Sequence, residues 1–321
     1  MKKFLLTSLV ALVILPVALF LPITYNPSTH SVPAKNFDEA IARADIFQTK
    51  DDEVALYPGC ESQVMTHGQK VEQVIVLLHG YRNCPKQFYA LGTIFYEQGY
   101  NVIIPRMPHH GLADVLATDQ AQLTADELAA HVTEAVDIAE GLGDDVTVAG
   151  ISTGGVLAGL AAQNRSDIDQ AVLIAPVFGL HIIPTELTTP AINLFQILPN
   201  FFLWQNKELK AEAPNPPQVY PQNATRAVSQ ILRLASGVRD EVDESQPAAS
   251  TIIVVTNAND TAVNNEMTSD VVVDWQKSGF EHLETYEFEA NLQLDHDLID
   301  PTHPKQKIDL VYPVLIDLIT Q

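Results

Sequence analysis

A serine stands between two glycines in Gly150-Ile151-Ser152-Thr153-Gly154, after the β-branched run Val146-Thr147-Val148 and before a helix-forming segment from Val156 to Gln163. Strand, sharp turn and helix in that order lift a serine hydroxyl clear of the backbone at the positive end of the helix, where negative charge formed in acyl transfer is stabilised. Gly150 and Gly154 omit the Cβ atoms that would keep strand and helix apart. Serine is a poor nucleophile at its free pKa and needs a base, which needs an acid to fix its tautomer. Of ten histidines, only His296 and His303 follow the last predicted strand, and His303 adjoins Pro304 at a predicted helix start. His296 is therefore the expected base. Asp260, in the polar turn Asn257-Ala258-Asn259-Asp260-Thr261-Ala262-Val263, is the expected acid, with an Asx-turn role as its alternative. Asp270 falls inside the next helix, and Asp295 and Asp297 flank the histidine and cannot easily turn back onto its ring; close by, they would favour its protonated form.

An oxyanion needs two preorganised donors. The N–H of Thr153, directly after the serine, is one; the N–H of Tyr81, in the turn His79-Gly80-Tyr81, is the other. His79 is expected to be a structural hydrogen-bonding residue at the base of that loop. The pair His109-His110 does not suit a metal, because adjacent side chains diverge and no carboxylate follows at ligand spacing. Arg106 and His110 are expected to shape a loop beside the pocket. No metal and no cofactor is called for.

These residues need a scaffold that brings loops from distant parts of the chain to one rim. Residues 74–78, 101–105, 146–149, 170–175, 250–256 and 284–289 are β-rich. They alternate with helical patterns at 36–48, 87–98, 124–142, 266–277 and 305–319, the helix at Thr124 opening with a capping-box signature to Glu127. Residues 54–66 suggest turns and an edge strand. Alternation of this kind predicts an α/β fold, a mainly parallel twisted sheet with helices on both faces and active residues at the carboxyl ends of the strands. Residues 176–247, rich in proline and large apolar side chains, interrupt it. They are expected to form an inserted lid whose apolar residues either line an acyl pocket or glue the insertion to the core.

The chain has 321 residues, 46% of them hydrophobic, enough for a sizeable core. A net charge of -22 argues against nucleic acid as a partner. Lys2 and Lys3 precede a nearly unbroken apolar run from Phe4 to Ile23, expected to be a membrane anchor with its positive end in the cytoplasm, or a cleaved export signal. The best cleavage pattern, Ser31-Val32-Pro33-Ala34, is poor. The expected organisation is an anchor or signal over 1–24, a linker and N-terminal segment over 25–58 and the main domain over 59–321, exported and facing the periplasm or exterior, or secreted if cleaved. Cys60 and Cys84 lie in loop-like segments on either side of the first core strand, and in an oxidising compartment a bridge would tie these segments together; two unlinked thiols are the alternative.

His79-Gly80, Pro105-Arg106-Met107-Pro108-His109-His110-Gly111, Gly150 to Gly155, Asp260 with Val263, and His296 together resemble the α/β-hydrolase superfamily. They are most similar to its bacterial monoacylglycerol lipase, lysophospholipase and serine-aminopeptidase-like branch. The stretch from Gly59-Cys60 through Thr66-His67-Gly68 to Cys84-Pro85 resembles an exported subgroup. The resemblance runs from about Cys60 to the C-terminus and fails in the insertion; Thr153 departs from the methionine usual in the branch. It implies Ser152, Asp260 and His296 as triad and Tyr81 and Thr153 as oxyanion donors. The expected activity is cleavage of carboxylic esters of small or lipid-like substrates, with no obligate protein partner evident. The alternatives are a peptidase or amidase, whose substrate amine Glu241 and Glu244 would bind, and a non-catalytic binding protein of the same fold.

Overall fold

The computed structural model describes residues 19–27, 30–212 and 220–321. Nine strands are seen among them: β1 (Gln63–Met65), β2 (Val71–Leu78), β3 (Asn101–Ile104), β4 (Gly143–Ile151), β5 (Gln170–Ile174), β6 (Phe202–Trp204), β7 (Gln222–Ala224), β8 (Thr251–Asn257) and β9 (Leu283–Phe288). The α-helices are α1 (Phe37–Asp52), α2 (Lys86–Glu97), α3 (Ala125–Ala139), α4 (Thr153–Asn164), α5 (Thr188–Ile197), α6 (Lys207–Glu212), α7 (Thr225–Glu244), α8 (Asn265–Lys277) and α9 (Ile308–Thr320).

Seven strands form one sheet in the order β1-β3-β2-β4-β5-β8-β9, parallel except for the edge strand β1. Alternate residues of the central strands serve opposite faces, as a period of two requires. Val74, Val76, Val146, Val148, Leu173 and Val254 join a core with α1, α3, α4, α7 and α8. Ile75, Leu77, Ile151, Val172, Ile174 and Val255 join a second core with α2 and α9. A sheet covered on both faces explains why its strands read as continuous apolar runs. The capping box forms as expected: Thr124 accepts from the Glu127 N–H, and the Glu127 carboxylate accepts the Thr124 N–H at 2.9 Å. The strand at the serine is longer than its apolar run, and α9 begins beyond Pro304.

The described part of residues 25–58, expected as linker and N-terminal segment, is packed onto the domain. Tyr25, Ala34, Ala40, Ala44 and Phe47 are buried, as is Ile23 just before them. The Tyr25 hydroxyl donates to Asp126 at 2.9 Å, and the Arg233 guanidinium lies 4.6 Å over its ring. Of the apolar run, residues 4–18 lie outside the described residues; among the described ones no helix is long and apolar enough to cross a membrane. Cys60 and Cys84 form a disulfide with Cα atoms 5.2 Å apart. Between β5 and β8 the chain makes α5, the antiparallel pair β6 and β7, α6 and the twenty-residue α7.

Candidate active site

Ser152 joins β4 to α4 with φ 58 and ψ -112, a conformation that side-chain-bearing residues adopt only when their surroundings impose it. Its N–H donates to the Ile174 carbonyl at 2.9 Å, and its carbonyl accepts from Val156 at 3.1 Å and Val177 at 3.2 Å, so β5 and α4 grip it from both sides. A Cβ on Gly150 would collide with the backbone of Gly154, and one on Gly154 with the carbonyl of Leu78. Both glycines are thus dictated by close approach. Thr153 is buried as the first residue of α4, where its N–H has no intrahelical acceptor.

The loop after β2 lies against this turn. Leu78 pairs with Gly150 in register, and a Cβ built on Gly80 would stand 3.7 Å from that of Ser152. Gly80 N–H donates to the Gln87 side chain at 2.8 Å. The fully buried His79 accepts the Met107 N–H on Nε2 at 3.1 Å, so its proton sits on Nδ1, 2.9 Å from the Gly80 carbonyl. Burial, reinforced by neighbouring His110, holds this ring well below the usual histidine range. His79 is a neutral strut between the loops after β2 and β3, as its sequence context suggested. The Tyr81 phenol donates to Gln120 at 2.8 Å and accepts from the Ala224 N–H at 3.1 Å, while the Arg82 carbonyl accepts from Tyr220 at 2.9 Å. The loop carrying the Tyr81 N–H is therefore bonded to the returning end of the insertion.

The expected acid and the expected base meet. His296 Nδ1 lies 2.6 Å from Asp260 Oδ2, with the carboxylate side chain wholly buried and the imidazole 16% exposed. Asp260 Oδ1 accepts from Ala262 at 2.8 Å and Val263 at 3.1 Å. Burial alone would raise this carboxyl's pKa, but the bonds from His296 and the two backbone amides outweigh it and hold it below its ordinary value. A neutral imidazole held in this way carries its proton on Nδ1 and keeps the Nε2 lone pair free. Asp260 also makes an Asx turn, so its bond to His296 and its turn role coexist. Asp295 turns to Lys305 at 3.0 Å and to its neighbour's N–H, and Asp297 caps Ile299 and Asp300. Asp297 also receives Asn83 Nδ2 at 3.2 Å, so neither flanking aspartate is directed at the ring. His303 is a half-buried residue in a bend, where its Nδ1 accepts the Lys305 N–H at 3.3 Å. His109 Nε2 lies 3.2 Å from Glu127 and His110 Nδ1 2.7 Å from the Pro108 carbonyl.

Two clamps have no local sequence signal. Asn257, the last residue of β8, donates to the carbonyls of Leu294 and Asp295 at 3.2 and 3.0 Å. Asn83 reaches Asp297 and Asp300 from the donor loop. Together they hold the histidine loop to the strands that carry the other site residues. One expectation needs correction: Glu241 accepts from Asn164 at 2.8 Å, at the far end of α4 from Ser152. At 1.5 Å per residue that is roughly 18 Å away, so Glu241 and Glu244 form no amine site beside the serine.

The sequence model of the family described as "Serine aminopeptidase, S33" matches residues 69–287, more than half of the chain. The chain belongs to this α/β-hydrolase family. The S33 match includes Ser152 and Asp260 and ends before His296. An "AB hydrolase superfamily protein" of Gibberella zeae is 28% identical over 183 residues, 54% of this chain and 56% of that protein, so the chain spans about half the length of this relative. Among solved structures, one reported under "LipS and LipT, two metagenome-derived lipolytic enzymes" aligns with TM-score 0.63 at 17% identity, over 83% of this chain and 99% of the other. The monoacylglycerol lipase of Paleococcus ferrophilus aligns at 0.58 and 14%, over 83% and 98%. A soluble variant of the Saccharomyces cerevisiae monoglyceride lipase aligns at 0.58 and 15%, over 82% and 92%. At such identities these likenesses concern the α/β-hydrolase fold.

Proposed function

We propose that this S33-family member is a serine hydrolase that cleaves carboxylic esters through an acyl-enzyme. The observation that carries the reading is the 2.6 Å bond from His296 Nδ1 to buried Asp260, on the rim where the strained Ser152 stands. Ser152 Oγ attacks the acyl carbonyl as His296 Nε2 takes its proton. Asp260 stabilises the imidazolium and the N–H groups of Tyr81 and Thr153 receive the oxyanion. His296 returns the proton to the leaving alcohol. Water, deprotonated by the same ring, then releases the acid.

Residues 176–247 are read as a lid over the strand ends, and their apolar content suits acylglycerols or lysolipids. The protein is read as exported and held by its N-terminal run. Support comes from the strap after that run: Ile23 and Tyr25 are in the core, and Ser31 and Val32 bond to the Asp137 carboxylate at 2.7 Å each. Cleavage after Ala34 would remove all four. The description of the matched family favours a second reading, a peptidase acting on a free amino terminus, but the carboxylates expected to bind that amine lie elsewhere.

A fluorophosphonate probe tests the chemistry. Labelling of the parent and none of a folded Ser152→Ala variant is expected; Ser152-independent labelling, or no labelling of folded parent, overturns the hydrolase reading and leaves a binding protein. Rates on p-nitrophenyl esters of rising chain length against aminoacyl anilides then separate esterase from peptidase.

A further inference from the structure

Arg43, Arg106 and Arg165 each end on a carboxylate, Glu134 at 3.2 Å, Asp51 at 2.6 Å and Asp137 at 2.6 Å. Arg82 does not. Among the described residues its guanidinium forms neither a hydrogen bond nor an ion pair, although the side chain is half-buried and burial pushes its pKa below the ordinary arginine value. A guanidinium carries five donors and keeps its charge, so one that has left water without partners stands uncompensated and calls for a reason.

Its backbone is tied down on every side. The Arg82 carbonyl accepts the Tyr220 N–H at 2.9 Å, the Asn83 N–H returns to the Gly80 carbonyl at 3.0 Å, and Cys84 is bridged to Cys60. Gly80, two residues before the arginine, lies against Ser152. The charge acts on Asp297 and Asp295, which flank His296, and on Tyr81, which carries the proposed oxyanion donor. Both aspartates are engaged elsewhere. Asp295 bonds to Lys305 and the His296 N–H, and Asp297 to Asn83 and the N–H groups of Ile299 and Asp300. A fixed cation with unused donors therefore stands at the corner where the donor loop meets the histidine loop.

We infer that Arg82 receives an anionic oxygen group, carboxylate or phosphate, of the ester that Ser152 attacks, and so selects charged esters over neutral ones. The inference rests on the serine-hydrolase reading and names the substrate class for that site. The planar fork of arginine matches two oxygens of either group. A net charge of -22 keeps loosely associated anions away, so an anion stays only where a cation bonds it directly.

Matched esters read the selection. The mono-p-nitrophenyl ester of adipic acid is compared with p-nitrophenyl hexanoate, which puts the anion on the acyl side. The pair 4-acetoxybenzoate and p-tolyl acetate puts it on the leaving group. The parent should favour the anionic member of at least one pair by about ten- to a hundredfold in kcat/KM, the effect of a hydrogen bond to a charged group. Arg82→Gln should erase this preference, and Arg82→Lys should restore part of it, since the ammonium keeps the charge without the fork. If the Gln variant does not fold, the Lys variant alone carries the comparison, with a reduced preference expected. No preference in either pair overturns the inference. Equal loss on both members of a pair, with a displaced acid limb in the pH profile, also overturns it, because the guanidinium then acts only on Asp295 and Asp297.

Calorimetric titration of the Ser152→Ala variant with adipate and with phenyl phosphate reads the site without turnover, and the tighter ligand identifies the group. Binding that Arg82→Gln abolishes, with no ester cleaved by the parent, keeps the anion site and overturns the hydrolase reading. Cleavage of the neutral esters with no Arg82-dependent binding or preference overturns the anion site alone.

Discussion

Replacing Ser152 by glycine should stabilise the protein while abolishing its chemistry. At φ 58 and ψ -112 a residue with a Cβ stores on the order of 1–3 kcal/mol, and here the cost is borne because Ile174, Val156 and Val177 fix the backbone on both sides. Ser152→Ala removes the hydroxyl and keeps the Cβ, so the strain remains. Ser152→Gly removes the Cβ and the strain, against an unfolded-state entropy penalty of about 0.5–1 kcal/mol relative to alanine. The balance favours glycine over alanine by roughly 0.5–2 kcal/mol, and by a few degrees in melting temperature for a chain of this size. Calorimetry of the two variants, neither of which should react with a fluorophosphonate, makes the comparison free of catalysis. A glycine variant that melts below the alanine variant, as it would at an unstrained position, refutes the argument that the elbow stores strain.

Four further outcomes follow from the geometry. Gly154→Ala drives a methyl into the Leu78 carbonyl and should cost several kcal/mol and most of the soluble yield, whereas Gly80→Ala, whose nearest neighbours would lie 3.7 Å away, should melt within a few degrees of the parent. Exchanging both Cys60 and Cys84 for serine opens a loop of sequence separation 24 and should lower the denaturation free energy by about 3 kcal/mol, with an unchanged value refuting the bridge as a stabilising element. Buried His79, His110 and His131 resist protonation when folded, mainly through desolvation, with His110 held at about 4 and His131 at about 3. Unfolded histidines bind protons from near 6.5, so stability should fall as pH drops below that value, by up to about 1.4 kcal/mol per unit per ring, and His131→Leu should flatten the slope measured by urea titration between pH 7 and 5. Tyr81→Phe leaves the Ala224 N–H and Gln120 without their partner and should lower kcat more than it raises KM; the opposite split would place the phenol in substrate binding.

What the sequence made legible is what local chemistry encodes. The elbow needs glycine where strand and helix touch, Asp260 sits in a turn that only a short polar chain can make, and continuous apolar strands announce a sheet covered on both faces. The serine-acid-histidine order could be read because each residue follows a strand. Partnerships across the fold left no such mark. Nothing around Asn83 points to Asp297, 214 residues away, and Asn257 looks like any turn asparagine. Helix α7 carries the helical period in Ala227, Ile231, Leu234, Val238 and Val242, but its proline-rich flanks mask that signal in a stretch legible only as an insertion. Glu241 was offered as an amine partner because sequence distance says little about which end of a long helix faces the site.

The bridge between Cys60 and Cys84 reaches beyond stability. Cys84 follows Asn83, whose amide holds the histidine loop, and stands three residues after Tyr81, whose N–H is the proposed oxyanion donor. A newly made chain with both thiols reduced lacks the tie that steadies this corner. Ordering of the donor loop and of the histidine loop thus follows oxidation of this one pair, so the redox surroundings in which the chain folds bear on the geometry of the proposed site.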